Sequence, residues 1–572
     1  MRRGSPSGAT ALVLGLLLVA GARARPWLVD ATSGSGLAFT HHAAHSGEWH
    51  LPETMGSGGA LLDLDGDGDL DVLLLDSGNL PGARPVPGQE AHQVLLRNVS
   101  TPAQPRFEPV DAPPLQGLAA MGACTGDYDH DGDDDVYVTG LPAGRLLRND
   151  GGRLVEVGGE AAPVDPGWGT SCVFLDPDRD GDLDLLVVHY VRWSAASEPA
   201  CGGEKRGYRS YCAPDKYQPE QDRLFRNDGG RFTDATADSG LMGERGNGLG
   251  VVAGDLDGDG RADLYVANDQ TPSALWISEG GLKFRDVGLA SGTALAETGK
   301  AQAGMGVDAA DVDADLDVDL TKTNFDLEAN NLYLNLGCAK GKAPRFRDAV
   351  TAAGLDGLTF HVLGFGTVFA DLDGDGDQDI FATNGHIIPN VAEIRAGASQ
   401  AMRDQLFENV GASPGKPPRF EDARRRWAPA SEDLAVGRGL LAGDLDSDGD
   451  VDLVVTRNGG PARLLRNDAQ PARWVGLELV TTRSAPGAPG ASVELRVGAS
   501  WHRLGLRRTG SSYLSSGDPR VLFGLVGAPA APATAIVRWP SGERETFPLP
   551  TLNRYFKLIE GTSEPAVVRP RP

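Results

Sequence analysis

The sequence predicts an all-β fold: a seven-bladed β-propeller with Ca-binding Asp loops, followed by a small C-terminal β domain. Three observations predict it. A strict nine-residue phrase, Asp-x-Asp-x-Asp-(x)3-Asp, occurs seven times, beginning at Asp63, Asp127, Asp176, Asp255, Asp311, Asp371 and Asp444. Successive copies start 49 to 79 residues apart, which marks a repeat architecture. Around each copy the text describes four short strands, the grammar of a propeller blade.

Within one repeat, the first strand is small and Gly-rich, as in Gly248-Leu249-Gly250-Val251-Val252. The Asp phrase follows as a loop, and an apolar strand leaves it directly, as in Val72-Leu73-Leu74-Leu75. A third strand reads Leu-Leu/Phe-Arg-Asn, for example Leu95-Leu96-Arg97-Asn98 and Leu224-Phe225-Arg226-Asn227. A Gly turn leads to a fourth, such as Arg231-Phe232-Thr233-Asp234. The seventh copy lacks its own fourth strand, and Trp27-Leu28-Val29-Asp30-Ala31-Thr32 reads like the missing phrase. It is expected to complete the seventh blade, which removes two exposed sheet edges.

Positions 1, 3, 5 and 9 of every loop are carboxylates. They are Asp63, Asp65, Asp67 and Asp71; Asp127, Asp129, Asp131 and Asp135; Asp176, Asp178, Asp180 and Asp184; Asp255, Asp257, Asp259 and Asp263; Asp311, Asp313, Asp315 and Asp319; Asp371, Asp373, Asp375 and Asp379; and Asp444, Asp446, Asp448 and Asp452. Position 7 offers its main-chain carbonyl, at Asp69, Asp133, Asp182, Arg261, Asp317, Asp377 and Asp450. Four hard anionic ligands and a carbonyl suit Ca²⁺, which takes six to eight oxygens. Up to seven ions are expected. Six loops carry Gly at position 6, where the chain turns sharply, and the fifth carries Leu316. A side chain at φ > 0 costs on the order of 1 kcal/mol, so the fifth site is expected to be the weakest or altered in geometry. An EF-hand is excluded because position 12 is Leu74 or Val138 instead of Glu and the flanks are β-rich.

Composition agrees. The chain of 572 residues has 77 Gly, 6% aromatics and a formal charge of −26. That charge argues against nucleic acid and anionic membranes as partners. Arg2 and Arg3, an apolar core at residues 11–20 and Ala22-Arg23-Ala24 read as a signal peptide over residues 1–24, hence export to the periplasm, cell surface or medium. No later segment is long and apolar enough for a membrane helix. The propeller is expected over residues 25–470, the small β domain over 471–561 and a disordered tail over 562–572.

Cys201 and Cys212 share a Gly/Pro/Tyr-rich insertion, residues 192–222, and are the best disulfide pair among five cysteines. Cys124 and Cys172 either pair or are buried thiols, with thiols the favoured reading, and Cys338 is left over. His41, His42, His45, Glu48, His50 and Glu53 form a cluster whose spacing matches no metal template; it is read as solvated or structural before it is read as a site. The insertion, with Trp193, Tyr208, Tyr211 and Tyr217, is either a binding surface or a stapled loop. Nucleophile elbows, H-E-x-x-H and phosphate-binding Gly loops are absent from the sequence.

These repeats resemble FG-GAP/VCBS repeats, the calcium-bearing blade units also seen in integrin α-chain heads. Trp474-Val475-Gly476-Leu477-Glu478-Leu479, Gly490-Ala491-Ser492-Val493, Ser512-Tyr513-Leu514-Ser515-Ser516 and Val537-Arg538-Trp539-Pro540-Ser541-Gly542 resemble the ASPIC/UnbV domain. The combination resembles the cartilage acidic protein family over nearly all of residues 27–561. The resemblance implies Ca²⁺ ligands at the Asp positions named above and an extracellular interaction or adhesion role with a protein or glycan partner. The alternative expectation is a Ca-dependent propeller hydrolase or lyase acting on extracellular polysaccharide. Read from its residues alone, the C-terminal part alternates at period two and is richer in Arg, with Arg473, Arg483, Arg496, Arg503, Arg507 and Arg508; it is expected to dock on the acidic ring.

Overall fold

The computed structural model describes residues 27–568, apart from 102–103, 114, 204–207, 243–245, 340–341, 412 and 414–415. The expected signal peptide lies outside the described residues, as do residues 569–572 of the expected tail.

Seven four-stranded antiparallel units follow one another along the chain, and in the first six the strands pair in chain order. Blade one is Gly59–Leu62, Asp71–Leu74, Val94–Asn98 and Phe107–Val110. Blade four is Gly248–Gly254, Asp263–Asn268, Ala274–Gly280 and Lys283–Asp286. In every blade the Asp loop joins the first strand to the second, and its position-9 aspartate opens the second strand. Blade seven takes its outermost strand from the other end of the chain: Leu28–Asp30 pairs with Gly460–Asn467, Leu28 opposite Asn467. Innermost strands of consecutive blades contact one another around the ring, including blade seven against blade one. The molecule is therefore an all-β, seven-bladed propeller closed through its N-terminal strand.

The first strands are Gly-rich because they converge on the axis. A Cβ on Gly250 would stand 2.3 Å from the Met305 carbonyl of the next blade, and one on Gly306 2.1 Å from that of Phe365. Threonines of the second strands tie the blades at this hub: Thr323 Oγ1 donates to the Phe365 carbonyl at 2.6 Å and Thr383 Oγ1 to that of Arg438 at 2.6 Å.

Residues after the last blade form two further four-stranded sheets around an apolar core that includes Val475, Leu477, Val493, Val537, Trp539, Phe547 and Phe556. One sheet orders Val521–Gly524, Trp474–Val480, Tyr555–Ile559 and Ala566–Val567. The last of these lies beyond residue 561, where the tail was expected to begin: Val567 pairs with Phe556.

This β domain is not merely appended. Residues 507–520 leave it and enter the propeller axis. Ser515–Ser516 adds a parallel strand to Gly59–Leu62 of blade one, Thr509 bridges to Ala253 of blade four, and Ser512 bridges to Val307 of blade five. Tyr513 is fully buried there, its hydroxyl donating to the Met55 carbonyl at 3.2 Å and its ring edge-on to Phe365. The buried Arg438 guanidinium lies 3.8 Å from the Phe365 ring centroid and donates to the carbonyls of Thr54, Gly385 and Gly437.

Candidate metal centres

Each Asp loop is built by its own carboxylates. In loop one Asp63 Oδ1 accepts the Asp67 amide at 3.0 Å and its Oδ2 the Gly68 amide at 2.9 Å. Asp127, Asp311 and Asp444 repeat this pair of bonds in their loops. The tight winding places two residues at left-handed φ in all seven loops. Position 6 has φ between +74° and +99°, with Leu316 at +74°. Position 4 is also left-handed, at His130, Arg179, Ala314 and Ser447 as well as at three glycines. The strain expected at Leu316 is present in the backbone; the second left-handed position had no signal in the sequence because it tolerates non-Gly residues.

The winding brings carboxylates together. Oxygens of Asp63, Asp65 and Asp71 lie within 4.8 Å of one another, as do those of Asp127, Asp129 and Asp135, of Asp176, Asp178 and Asp180, of Asp255, Asp257 and Asp259, and of Asp311, Asp313 and Asp315. Burial, and after it the neighbouring carboxylates, pushes Asp176 up to about 6, Asp311 to about 7 and Asp446 to about 8. Several oxygens are buried without a hydrogen-bond partner: Oδ1 of Asp176, Asp255 and Asp371, and both of Asp446, which is 3% exposed. Buried acceptors with no donor, each lying in a loop that gathers several carboxylates and all of them hard oxygens, fit a divalent cation such as Ca²⁺. When bound, the ion would supply the positive charge these groups lack, and no nitrogen or sulfur ligand is among them.

Position 9 has a second task. Asp71 Oδ2 accepts the Leu64 amide at 2.8 Å and Oδ1 the Asn98 amide at 2.6 Å, bracing the loop to the third strand. Asp135, Asp263, Asp319, Asp379 and Asp452 do the same in their blades. The third-strand Asn then reaches the preceding blade. Asn149 Nδ2 donates to the Leu64 carbonyl, Asn227 to Tyr128, Asn335 to Leu256, Asn409 to Val312 and Asn467 to Leu372. The Leu-Leu-Arg-Asn phrase marks an inter-blade clip as well as a strand. Loop three departs from the pattern: Pro177 has no amide to give Asp184, whose Oδ2 is left without a partner; separately, blade four carries Ser278 where the other blades have Asn.

At position 7 the carboxylates hold neighbouring chain. Asp182 Oδ2 accepts the Gly229 amide at 2.8 Å and Asp450 Oδ2 the Gln470 amide at 2.9 Å. Arg261 was expected to offer only its carbonyl, yet its guanidinium also pairs with Asp259 of its own loop and donates to the Ser278 carbonyl.

The C-terminal domain sits on the Asp-loop face, as its arginines led one to expect. Arg503 pairs with Asp377 at 2.5 Å, Arg538 with Asp255 at 3.3 Å and Arg508 with Asp308 at 2.9 Å. The Gly524 amide donates to Asp371 Oδ2 at 3.0 Å and the Tyr555 hydroxyl to Asp444 Oδ2 at 2.7 Å.

The His41–Glu53 cluster and the 192–222 insertion meet each other. Glu53 accepts from Tyr211 at 2.8 Å and from Ser46, while His45 contacts the Tyr211 hydroxyl at 3.1 Å. Glu198 accepts the Leu51 amide, Trp193 Nε1 and the Tyr217 hydroxyl. The carboxylates are thus consumed in joining two segments. The insertion is stapled by Cys201–Cys212, as expected. Cys124 and Cys172 are bonded too, which corrects the favoured reading of two buried thiols: adjacent blades bring their first strands side by side, with the Cα atoms 5.6 Å apart. His386 is a braced polar residue, its Nδ1 accepting the Ile388 amide at 2.9 Å.

Fold and site together define a propeller of Asp-loop repeats capped by a β domain. The FG-GAP-like repeat family matches residues 127–187, 211–266 and 255–321, which span loops two to five, and the ASPIC and UnbV family matches residues 481–565. The chain carries FG-GAP-like repeats and a C-terminal ASPIC and UnbV domain. It is similar to cartilage acidic protein 1 of Mus musculus, 24% identical over 541 residues that cover 90% of this chain and 76% of the relative. Cartilage acidic protein 1 of Homo sapiens is 24% identical over 510 residues, covering 86% and 70%. Among solved structures, a lectin from Agrocybe aegerita that recognises non-reducing terminal N-acetylglucosamine is 15% identical, covers 74% of this chain and 94% of its own, and superposes with a TM-score of 0.39. Rhamnogalacturonan lyase PL11 of Bacillus licheniformis is 13% identical, covers 73% and 90%, and has a TM-score of 0.27. Neither likeness is close enough to carry a ligand across. Among the described residues no helix is long and apolar enough to cross a membrane.

Proposed function

We propose that the protein is an exported calcium-binding propeller that serves as an extracellular interaction or adhesion module, with up to seven Ca²⁺ ions, the fifth the weakest. The observation that carries this reading is the set of buried, donorless carboxylate oxygens repeated in equivalent loops. A catalytic site would be expected to differ from its siblings, whereas these loops share one winding. The partner is a protein or a glycan.

Without an ion each loop crowds carboxylates together and repulsion opposes the turn that joins the first two strands. With an ion the same groups hold it. At free ion a hundredfold above Kd one site contributes about 2.7 kcal/mol, and nearer 1 kcal/mol at the weak affinities of extracellular modules. Several such increments are large against a total of about 5–15 kcal/mol. Calorimetric titration with Ca²⁺, paired with melting in calcium and in excess chelator, tests the metal part. A melting temperature many degrees lower in chelator is expected, and coincident melts with no heat of binding sink it. Retention without turnover on protein and glycan arrays, in calcium, tests the interaction part; turnover of any glycan would favour the lyase or hydrolase reading instead.

A further inference from the structure

The seven loops are not equally exposed. In loops one, two and three, a Cβ built on Gly66, Gly68, Gly132 or Gly181 meets nothing within 4 Å. In loop six, a Cβ on Gly376 would stand 2.7 Å from Trp501, and one on Gly374 2.4 Å from Pro471. In loop seven, a Cβ on Gly449 would stand 2.1 Å from the Trp474 ring. Loops six and seven therefore lie beneath the C-terminal domain, in contact with it.

The contact is made through the position-1 carboxylates themselves. Asp371 Oδ2 accepts two amides, from Gly376 of its own loop at 2.9 Å and from Gly524 of the C-terminal domain at 3.0 Å, while its Oδ1 is buried with no donor. Asp444 Oδ2 accepts the Gly449 amide at 3.0 Å and the Tyr555 hydroxyl at 2.7 Å, beside the donorless Asp446. In each loop one oxygen of the position-1 carboxylate is held by the covering domain, and a buried oxygen without a donor lies in the same loop. The main chain is gripped as well: the Val526 amide donates to the Gly374 carbonyl at 2.9 Å, and Arg520 to that of Asp444 at 2.8 Å.

We propose that the cation sites of loops six and seven are interdomain sites: the Gly524 amide and the Tyr555 hydroxyl position Asp371 and Asp444, and ions there enter and leave only when the C-terminal domain lifts from the propeller. This rests on the calcium reading above. Its consequence is two kinetic classes of ion on one ring, freely exchanging in the open loops one to three and trapped in loops six and seven. Each trapped ion also holds the domain down, so metal occupancy and domain docking strengthen each other, as linkage requires.

The test uses the full chain loaded with Ca²⁺ and mixed rapidly with an excess of a fluorescent chelator. Release is expected in at least two phases, with the two ions of loops six and seven leaving at least tenfold more slowly than those of loops one to three. Hydrogen exchange at residues 521–525 and 555–559 should rise with the rate of the slow phase. Tyr555→Phe keeps the ring against Trp474 and removes only the hydroxyl, and should move one ion from the slow phase to the fast one while folding is unchanged by circular dichroism. Release of every ion in a single phase, or a Tyr555→Phe trace that superimposes on the parent, overturns the interdomain assignment while leaving calcium binding intact. Absence of any released ion overturns the calcium reading itself.

Discussion

Asn98 of blade one donates its side-chain amide across the ring seam to the Leu445 carbonyl of blade seven, at 2.7 Å, and to Leu70 of its own loop at 2.9 Å. Asn98 is fully buried, and its own backbone amide is held by Asp71. One side chain thus joins the Asp loop, the third strand and the neighbouring blade.

Asn98→Ala removes both donors and leaves two buried carbonyls unsatisfied. A loss of about 2–6 kcal/mol is expected, since each orphaned group costs about 1–3 kcal/mol. Urea unfolding in saturating calcium measures it, and a loss below the error of the midpoint would show that the clip contributes nothing.

Leu316 sits at φ +74°, a conformation that costs a side chain on the order of 1 kcal/mol. Leu316→Gly should tighten one calcium site up to about fivefold, the equivalent of that energy. Titration calorimetry would show the change in a single class of site; unchanged isotherms would mean that the loop bears the strain without cost to the ion.

Tyr513 plugs the hub from the C-terminal domain, packed on Phe365 and bonded to Met55. Removing such a ring costs about 3–5 kcal/mol. The parent should melt as one unit, and Tyr513→Ala should separate the transitions of propeller and β domain in scanning calorimetry. Two transitions already present in the parent would contradict the plug's role.

His41 is buried, its Nδ1 accepting the Gly459 amide at 3.1 Å and its Nε2 bonded to Ser77 at 2.8 Å. Burial holds its pKa down at about 4, although Asp76 acts in the opposite direction. The folded state therefore prefers the neutral ring, and the group's contribution is present above pH 6.5 and lost as pH falls from 6.5 through 4. The loss reaches about 3 kcal/mol. The difference in urea midpoint between the parent and His41→Gln, followed from pH 7 to 4, should shrink over that window; a constant difference would show that the imidazole does not titrate with unfolding.

The architecture is largely legible in the sequence. Leu28–Asp30 was recognisable as the missing strand of blade seven because Trp27-Leu28-Val29-Asp30 repeats the text of other fourth strands. The Asp loops were legible because their contacts span only a few residues, as between Asp63 and Gly68. The second left-handed position was hidden because Ala314, Arg179 and Ser447 occupy it without a common side chain. Some of the Asn clips were written in the sequence as Leu-Leu/Phe-Arg-Asn, but the phrase does not say which carbonyl the Asn reaches, and Asn335 and Asn409 end Leu-Tyr-Leu-Asn and Leu-Phe-Glu-Asn instead.

By itself the sequence determined the number of blades, the sharp turn at position 6 of each loop and the way the ring closes, because hydrogen bonds within a nine-residue phrase and period-two apolar runs are local. Tertiary structure alone decided that residues 507–520 fill the hub, that Cys124 meets Cys172, and that loops six and seven lie under Trp501 and Trp474 while loops one to three stand open. Those outcomes depend on pairs such as Tyr513 with Met55 and Tyr555 with Asp444, 458 and 111 residues apart. Such partners are selected by the shape and burial of surfaces that exist only once both domains have formed.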